Sequence, residues 1–431
     1  MNTPLQYSMY GFPPETERRP IYEKVFYVAK HRVPDSIKTF TTIMDAMNAC
    51  DGVINTLIVI YPGTYTEYIT MKPNVSLMGF DKLATILSPP VQGRLSTGVV
   101  GIIQYIDTRQ TTMNISNLSI VSQVQGGNNV LINLTGATQV STIKIFNCFL
   151  YSDCSKYSLL IWGTTSINHI VSIQDVIFRN SGTSTSGYHP ITLRYPKKWK
   201  FEGCLCEANG MVQVASGILI EIYIDASDSG DIIYVNNCVM GNINTTSGVI
   251  KMFVNNCRIY NNNNDSSTAG TTGVFSNCSF FNHLELGAAP IPPLGLAGIN
   301  AGVFYITNCS AYPLAGAAPG YISNSIPSAY MPISNIAVFE NVYFHGWVQC
   351  NTGAGVNVST RTFRNCVIAC PSSISYSIAG LSSGEMTAKT TKANKVYTNK
   401  PTNPGISFPR TALTDDSSQC IFDMSNTMFI P

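Results

Sequence analysis

The segment 235-VNNCVMGNINTTSGVIKMFVNNC-257 states one phrase twice, nineteen residues apart. Working outward, the phrase recurs as ISNLSI from 115, IFNCFL from 145, IQDVIF from 173, FEGCLC from 201, FSNCSF from 275, ITNCSA from 306, FENVYF from 339 and FRNCVI from 363. With the two VNNC copies that makes ten kernels, and their third residues are Asn117, Asn147, Asp175, Gly203, Asn237, Asn256, Asn277, Asn308, Asn341 and Asn365. The steps between them run from 19 to 34 residues, so a fixed kernel is followed by a loop of variable length.

Positions one, four and six of the kernel are apolar in nearly every copy, and position two is polar except at Phe146. In a straight strand, positions one and four point to opposite faces. The chain must therefore turn between them, and it does so at position three, where Asn, Asp and Gly are the residue types that tolerate the left-handed conformation. The kernel reads as strand, one-residue corner, strand, with positions one, four and six facing a common interior. A unit this short cannot bury its apolar face alone, and variable-length repeats around a fixed kernel indicate a solenoid. No 3.6-residue periodicity lies between kernels, and the Leu pattern of leucine-rich repeats is missing. The expected fold is all-β: a single-stranded right-handed parallel β-helix of 11 to 13 coils, about 50 to 65 Å long at about 4.8 Å per coil. Stacked coils place corner Asn above corner Asn, where side-chain amides can bond to each other.

Cys148, Cys204, Cys238, Cys257, Cys278, Cys309 and Cys366 occupy position four. They read as buried free thiols used as small hydrophobes. Parallel Cβ vectors on stacked strands suit a disulfide poorly, the total of 13 Cys is odd, and the N-terminal stretch has no apolar signal-peptide core. These features point to synthesis in a reducing cytoplasm. The Asn-X-Ser triplets at Asn117, Asn277 and Asn308 fall on the corner itself and read as by-products of Asn and Ser richness.

Only 12% of residues are charged and the net charge is +2. Basic residues are scattered apart from Lys197, Lys198 and Lys200, so no nucleic-acid partner is expected, and no apolar run is long enough for a membrane span. The chain divides into an N-terminal arm (1–34), the β-helix (35–370) and a C-terminal tail or arm (371–431), in which IFDMSN can form a final coil.

Residues 39 to 89 form a distinct entry module: an amphipathic helix in TFTTIMDAMNAC with Phe40, Ile43, Met44 and Met47 apolar, the strand LIVIYPG, a turn with TYTEYI, and the strand VSLMGF. This order resembles the opening of the pectate-lyase-like and pectinesterase-like parallel β-helix superfamily, in which a short helix caps the first coil and a G-x-Y-x-E segment, here Gly63-Thr-Tyr65-Thr-Glu67, enters the helix. The resemblance implies the fold. It does not imply the activity, because the D-F-I-F-G and L-G-R-P-W segments of pectinesterases are missing and the Gln174-Asp175 pair is followed by Val176. Solenoids of this superfamily also serve as phage tailspikes and as capsid-associated proteins of large DNA viruses, and the Asn-, Ile- and Tyr-rich composition resembles that usage.

Two functional classes are therefore expected. The first is a non-enzymatic structural protein of a virus particle, located in the virion, with no cofactor and no metal. From Leu286 to Phe339 no residue is charged, and this stretch carries two Pro/Gly/Ala-rich insertions. Those loops and the terminal arms are the expected contacts with other virion proteins or with further copies of the chain, a trimer being one such form. The second class is a carbohydrate-active enzyme or receptor-binding spike. Its candidate carboxylates are Glu221, Asp225 and Asp175, with Tyr223 beside them; Glu221 and Asp225 lie about 13 Å apart on one strand, beyond the reach of a glycosidase pair. The Asp225, Asp228, Asp231 turn has the wrong spacing for a calcium loop. The five His form no metal-binding pair.

Overall fold

The computed structural model describes residues 22–35, 37–90, 101–107, 109–122, 130–134, 141–152, 157–162, 169–180, 191–194, 196–208, 221–225, 231–245, 250–260, 262–263, 272–281, 294–295, 303–312, 329–331, 336–345, 348–350, 360–369, 378–379, 386–387, 420–423 and 428–430. The strands stack into parallel sheets whose neighbours are one coil apart in sequence. A first sheet of 16 strands carries kernel positions one and two, and a second sheet of 13 strands begins at position five. The third face is divided: seven strands run from 69–70 to 242–245, and five continue from 262–263 to 378–379. The chain visits first sheet, corner, second sheet and third face, then returns, which is a parallel β-helix. Right-handed crossovers are the sense that strand twist favours. Thirteen strands in the second sheet, hence twelve spacings, give a stack about 58 Å long.

All ten corner residues have left-handed backbones, with φ from 50° at Asn147 to 62° at Gly203. The corner is two residues long, not one. Strands end at position two and resume at position five, as in Ile250–Asn255 and Arg258–Tyr260 around Asn256 and Cys257. The position-three N–H still reaches the next coil, as in Asn256 N to the Ser276 carbonyl at 3.0 Å, and the position-five N–H reaches the previous one, as in Ser279 N to the Cys257 carbonyl at 2.9 Å. The ladder thus passes through the turn, and only the position-four N–H turns inward.

The expected interior positions are buried. At position one the side chains from Ile115 to Phe363 are at most 1% exposed, and the seven position-four cysteines are at most 4% exposed. Burying each Ile or Phe contributes roughly 1.5–3 kcal/mol. Size is matched between coils: a Cβ on Gly273 would stand 2.7 Å from the Phe304 ring. Phe339 stacks on Phe363 one coil on, with centroids 5.0 Å apart.

The entry differs from the expectation in two respects. Strand 24–28 already pairs in register with 56–60, so the first sheet begins inside the stretch expected as an arm. The helix spans only Ile43–Asn48, because Phe40 belongs to a short strand, 39–40, paired with 24–28. Past the last full kernel, 420–423 extends the first sheet and 428–430 the second.

Candidate functional site

The corner column is a line of side-chain amides. Asn147 Nδ2 donates to Asn117 Oδ1 at 2.8 Å, Asn256 to Asn237 at 2.7 Å, and Asn341 to Asn308 at 3.1 Å. The line is not continuous. Gly203 offers no amide, so Asn237 Nδ2 donates to Glu202 Oε1 at 2.6 Å instead, and Asn277 turns to Asn255 Oδ1 at 3.0 Å. The glycine has a physical cause: a Cβ there would lie 2.5 Å from Asp175 Oδ1. Asp175 is a corner residue with φ 52° whose N–H donates to the Glu202 carbonyl. Its position is accounted for by the turn.

Inside the corner the cysteines do more than fill space. Cys204 N–H donates to the Cys238 sulfur at 3.3 Å, Cys238 N–H to Cys257 at 3.5 Å, and Cys278 N–H to Cys309 at 3.3 Å. Each thiol also lies within hydrogen-bond reach of a corner carbonyl, as in Cys257 Sγ to Asn255 O at 3.1 Å. The thiol therefore satisfies the inward N–H that the two-residue corner leaves over, a role that Val or Leu cannot fill. Cys50, Cys206 and the seven cysteines of position four are free and buried. Burial pushes the Cys148 thiol up to about 12 and Cys366 to about 11. These are inert thiols, not nucleophiles.

The strand register sets no second carboxylate beside Glu221 or Asp225. Glu221–Asp225 is a third-face strand between 191–194 and 242–245. Glu221 is level with Asn242, Tyr223 with Thr192 and Asn244, and Asp225 with Arg194. No second carboxylate occupies those flanking positions, and Asp175 sits at a corner remote from this face in the coil. Asp228 lies outside the described residues. Among the described residues no three His, Cys, Asp or Glu side chains group to hold a metal ion. His169 is an interior residue whose Nδ1 accepts from Ser141 N–H at 3.3 Å, while His31 is exposed. His189 and His283 lie outside the described residues.

The two uncharged insertions also lie outside the described residues for most of their length, but their roots do not. One leaves strand 279–281, is uncharged from Leu286 on, and returns at 294–295; the other leaves 310–312 and returns at 329–331. The departure strands are neighbours in the second sheet, and the return strands are neighbours on the third face. Both insertions therefore span the same gap on adjacent coils. At their roots, and unforeseen from the kernel, position seven carries an outward aromatic column. Phe281 stacks on Tyr312 at 5.1 Å, and Tyr312 on His345 at 3.9 Å, with Tyr343 at 4.1 Å on the imidazole. Desolvation lowers the His345 pKa. Extending the kernel by one residue would have disclosed this column.

No protein-family profile matches the sequence, and no curated protein does. Solved structures superpose on it only weakly. The mannuronan C-5 epimerase AlgE6 A-module of Azotobacter vinelandii is 12% identical, over 93% of this chain and 96% of that one, with a TM-score of 0.38. Pectin methylesterase PemA from Erwinia chrysanthemi is 14% identical, over 79% and 92%, at 0.31. ORF18 of Geobacillus virus E2 is 15% identical, over 71% of this chain and 56% of that one, at 0.35. At such values the likenesses carry nothing about activity. The parallel β-helix rests on the ladders and corners of the chain itself.

Proposed function

We propose that the chain is a non-enzymatic structural component of a virus particle, made in a reducing cytoplasm and acting through protein–protein contacts. One observation carries the reading: two long insertions, which draw on a stretch (286–339) without Asp, Glu, Lys or Arg, are rooted side by side on adjacent coils. Uncharged loops rich in Ala, Pro, Leu and Tyr are a liability in water and an asset in an interface, whose buried centre is depleted in charge. The partner is a further copy of the chain or another protein of the particle. The free buried thiols agree with a reducing site of synthesis. The rigid solenoid serves as a spacer that holds the loops at a fixed height.

The test is the solution mass of the purified chain by light scattering, with and without short linkers replacing 286–293 and 313–328. An oligomer that falls to a monomer on shortening is the expected result. Cleavage or de-esterification of an acidic polysaccharide, abolished by Glu221→Gln with Asp225→Asn, would replace this reading with the carbohydrate-active one.

A further inference from the structure

The outward residues on the two sides of the corner differ in kind. Position two is polar in every kernel except at Phe146, as a face turned to water requires. Position five is not. Phe149, Ile177, Leu205 and Val239 stand in register on four successive strands of the second sheet. They are partly exposed, whereas Leu150, Phe178 and Met240 beside them point inward and are at most 1% exposed. Ser119 ends this apolar run on one side and Arg258 on the other. Two residues further along the same strands, and so on the same face, Arg179 is level with Glu207. Arg179 is exposed, and its guanidinium lies 5.4 Å from the centre of the Phe149 ring. The patch is its own complement. A half-turn about a line that lies over the sheet, parallel to the strands and midway between 177–180 and 205–208, exchanges its two sides. Ile177 of one copy is then set over Leu205 of the other, Phe149 over Val239, and Arg179 over Glu207, and each pair occurs twice. Apolar meets apolar and each charge meets its opposite, which a closed two-fold contact requires. Strands of the two copies run in the same direction in this arrangement, as in aligned packing of sheets about 10 Å apart.

We propose that the outer face of the second sheet is a two-fold interface whose partner is a second copy of the chain, with the two solenoids antiparallel. The inference rests on the reading that the chain acts through protein–protein contacts, and it names the face and the partner. The half-turn lays ten strands of the second sheet, from 63–66 to 310–312, over the same ten of the other copy. Nine spacings give about 43 Å and four residues of strand about 13 Å, so roughly 560 Å² of each copy is covered, measured flat. A standard interface covers roughly 800 Å² per partner. The insertions are placed to supply the difference. They leave strands 279–281 and 310–312, which the half-turn sets over 85–88 and 63–66 of the other copy. The face and the insertions then form one continuous contact.

Light scattering of the full chain over a dilution series tests it. The unaltered chain should be a dimer. Arg179→Glu sets like charges opposite each other, as does Glu207→Arg, and each variant alone should dissociate at least about tenfold more readily. Mixed in equal amounts, the two variants should recover the dimer of the unaltered chain, because opposite charges then meet at both places. Mixing does not rescue a misfolded chain, so recovery separates a lost contact from a lost fold. A monomer or a trimer in place of the dimer, variants that associate like the unaltered chain, or a mixture that stays dissociated would each overturn the inference. Shortening the insertions distinguishes it from the broader reading. An oligomer lost on shortening but indifferent to both charge reversals leaves the insertions as the interface and removes this face. Recovery on mixing, together with association that survives shortening, supports this face and removes the insertions as the carrier of the contact.

Discussion

At Asn256 a left-handed backbone, φ 51°, coincides with an exposed amide bonded to Asn237 at 2.7 Å. The backbone is the larger constraint, since a side chain in this conformation costs roughly 1–2 kcal/mol unless it is Gly or a short polar residue. Asn256→Ala should lower stability by about that amount and Asn256→Gly by clearly less. Urea midpoints of the two variants check this; equal midpoints would leave the amide bond as the main contribution. The corner was legible because so few residue types tolerate it. The hydrogen bonding of the thiols was not: burial already explains Cys, and the inward N–H it satisfies exists only once the corner is two residues long.

Among the elements, the entry helix shows how a motif can serve the fold. Ile43 N–H and Met44 N–H donate to the two carboxylate oxygens of Glu67 at 3.0 and 2.9 Å. Tyr65, 1% exposed, donates its hydroxyl to the Tyr61 carbonyl at 3.0 Å. The G-x-Y-x-E segment is thus a cap joining helix 43–48 to the first coil. Glu67→Ala strands two helix N–H groups and should cost about 1–3 kcal/mol, with faster exchange at 43–49, while Glu67→Gln retains part of the bond. Thermal unfolding with hydrogen exchange separates the cases. The helix itself was legible from Ile43 and Met47. Its shorter start was not, because Phe40 is drawn into a strand by pairing with 24–28, a contact between segments that local periodicity does not report.

Over the whole molecule the stack of buried thiols couples stability to pH. Cys148 and Cys366 are raised by burial to about 12 and about 11, above their ordinary value near 9. Cys257 and Cys278 stand at about 12; each is lowered by one neighbouring thiol, and this is outweighed by the thiol on the other side and by burial. Unfolded thiols ionise first, so between pH 9 and 11 the folded chain holds more protons and stability falls as pH rises. The slope should approach about 1.4 kcal/mol per pH unit for each such thiol. Urea midpoints at pH 7, 9 and 10 check it; a flat profile would mean that the thiols are reached by solvent. Because each coil rests only on its neighbours, the loss should spread along the stack.

The sequence by itself determined the coil: the left-handed corner, the inward positions and the solenoid, all of which follow from side-chain types at fixed spacing within one kernel. Tertiary structure decided what depends on register between coils. It set no carboxylate on the strands beside Glu221 and Asp225, rooted both uncharged insertions over one gap, and aligned the outward rings of Phe281, Tyr312 and His345. Loops of 19 to 34 residues between corners carry no register in their letters; the parallel hydrogen-bond ladder supplies it.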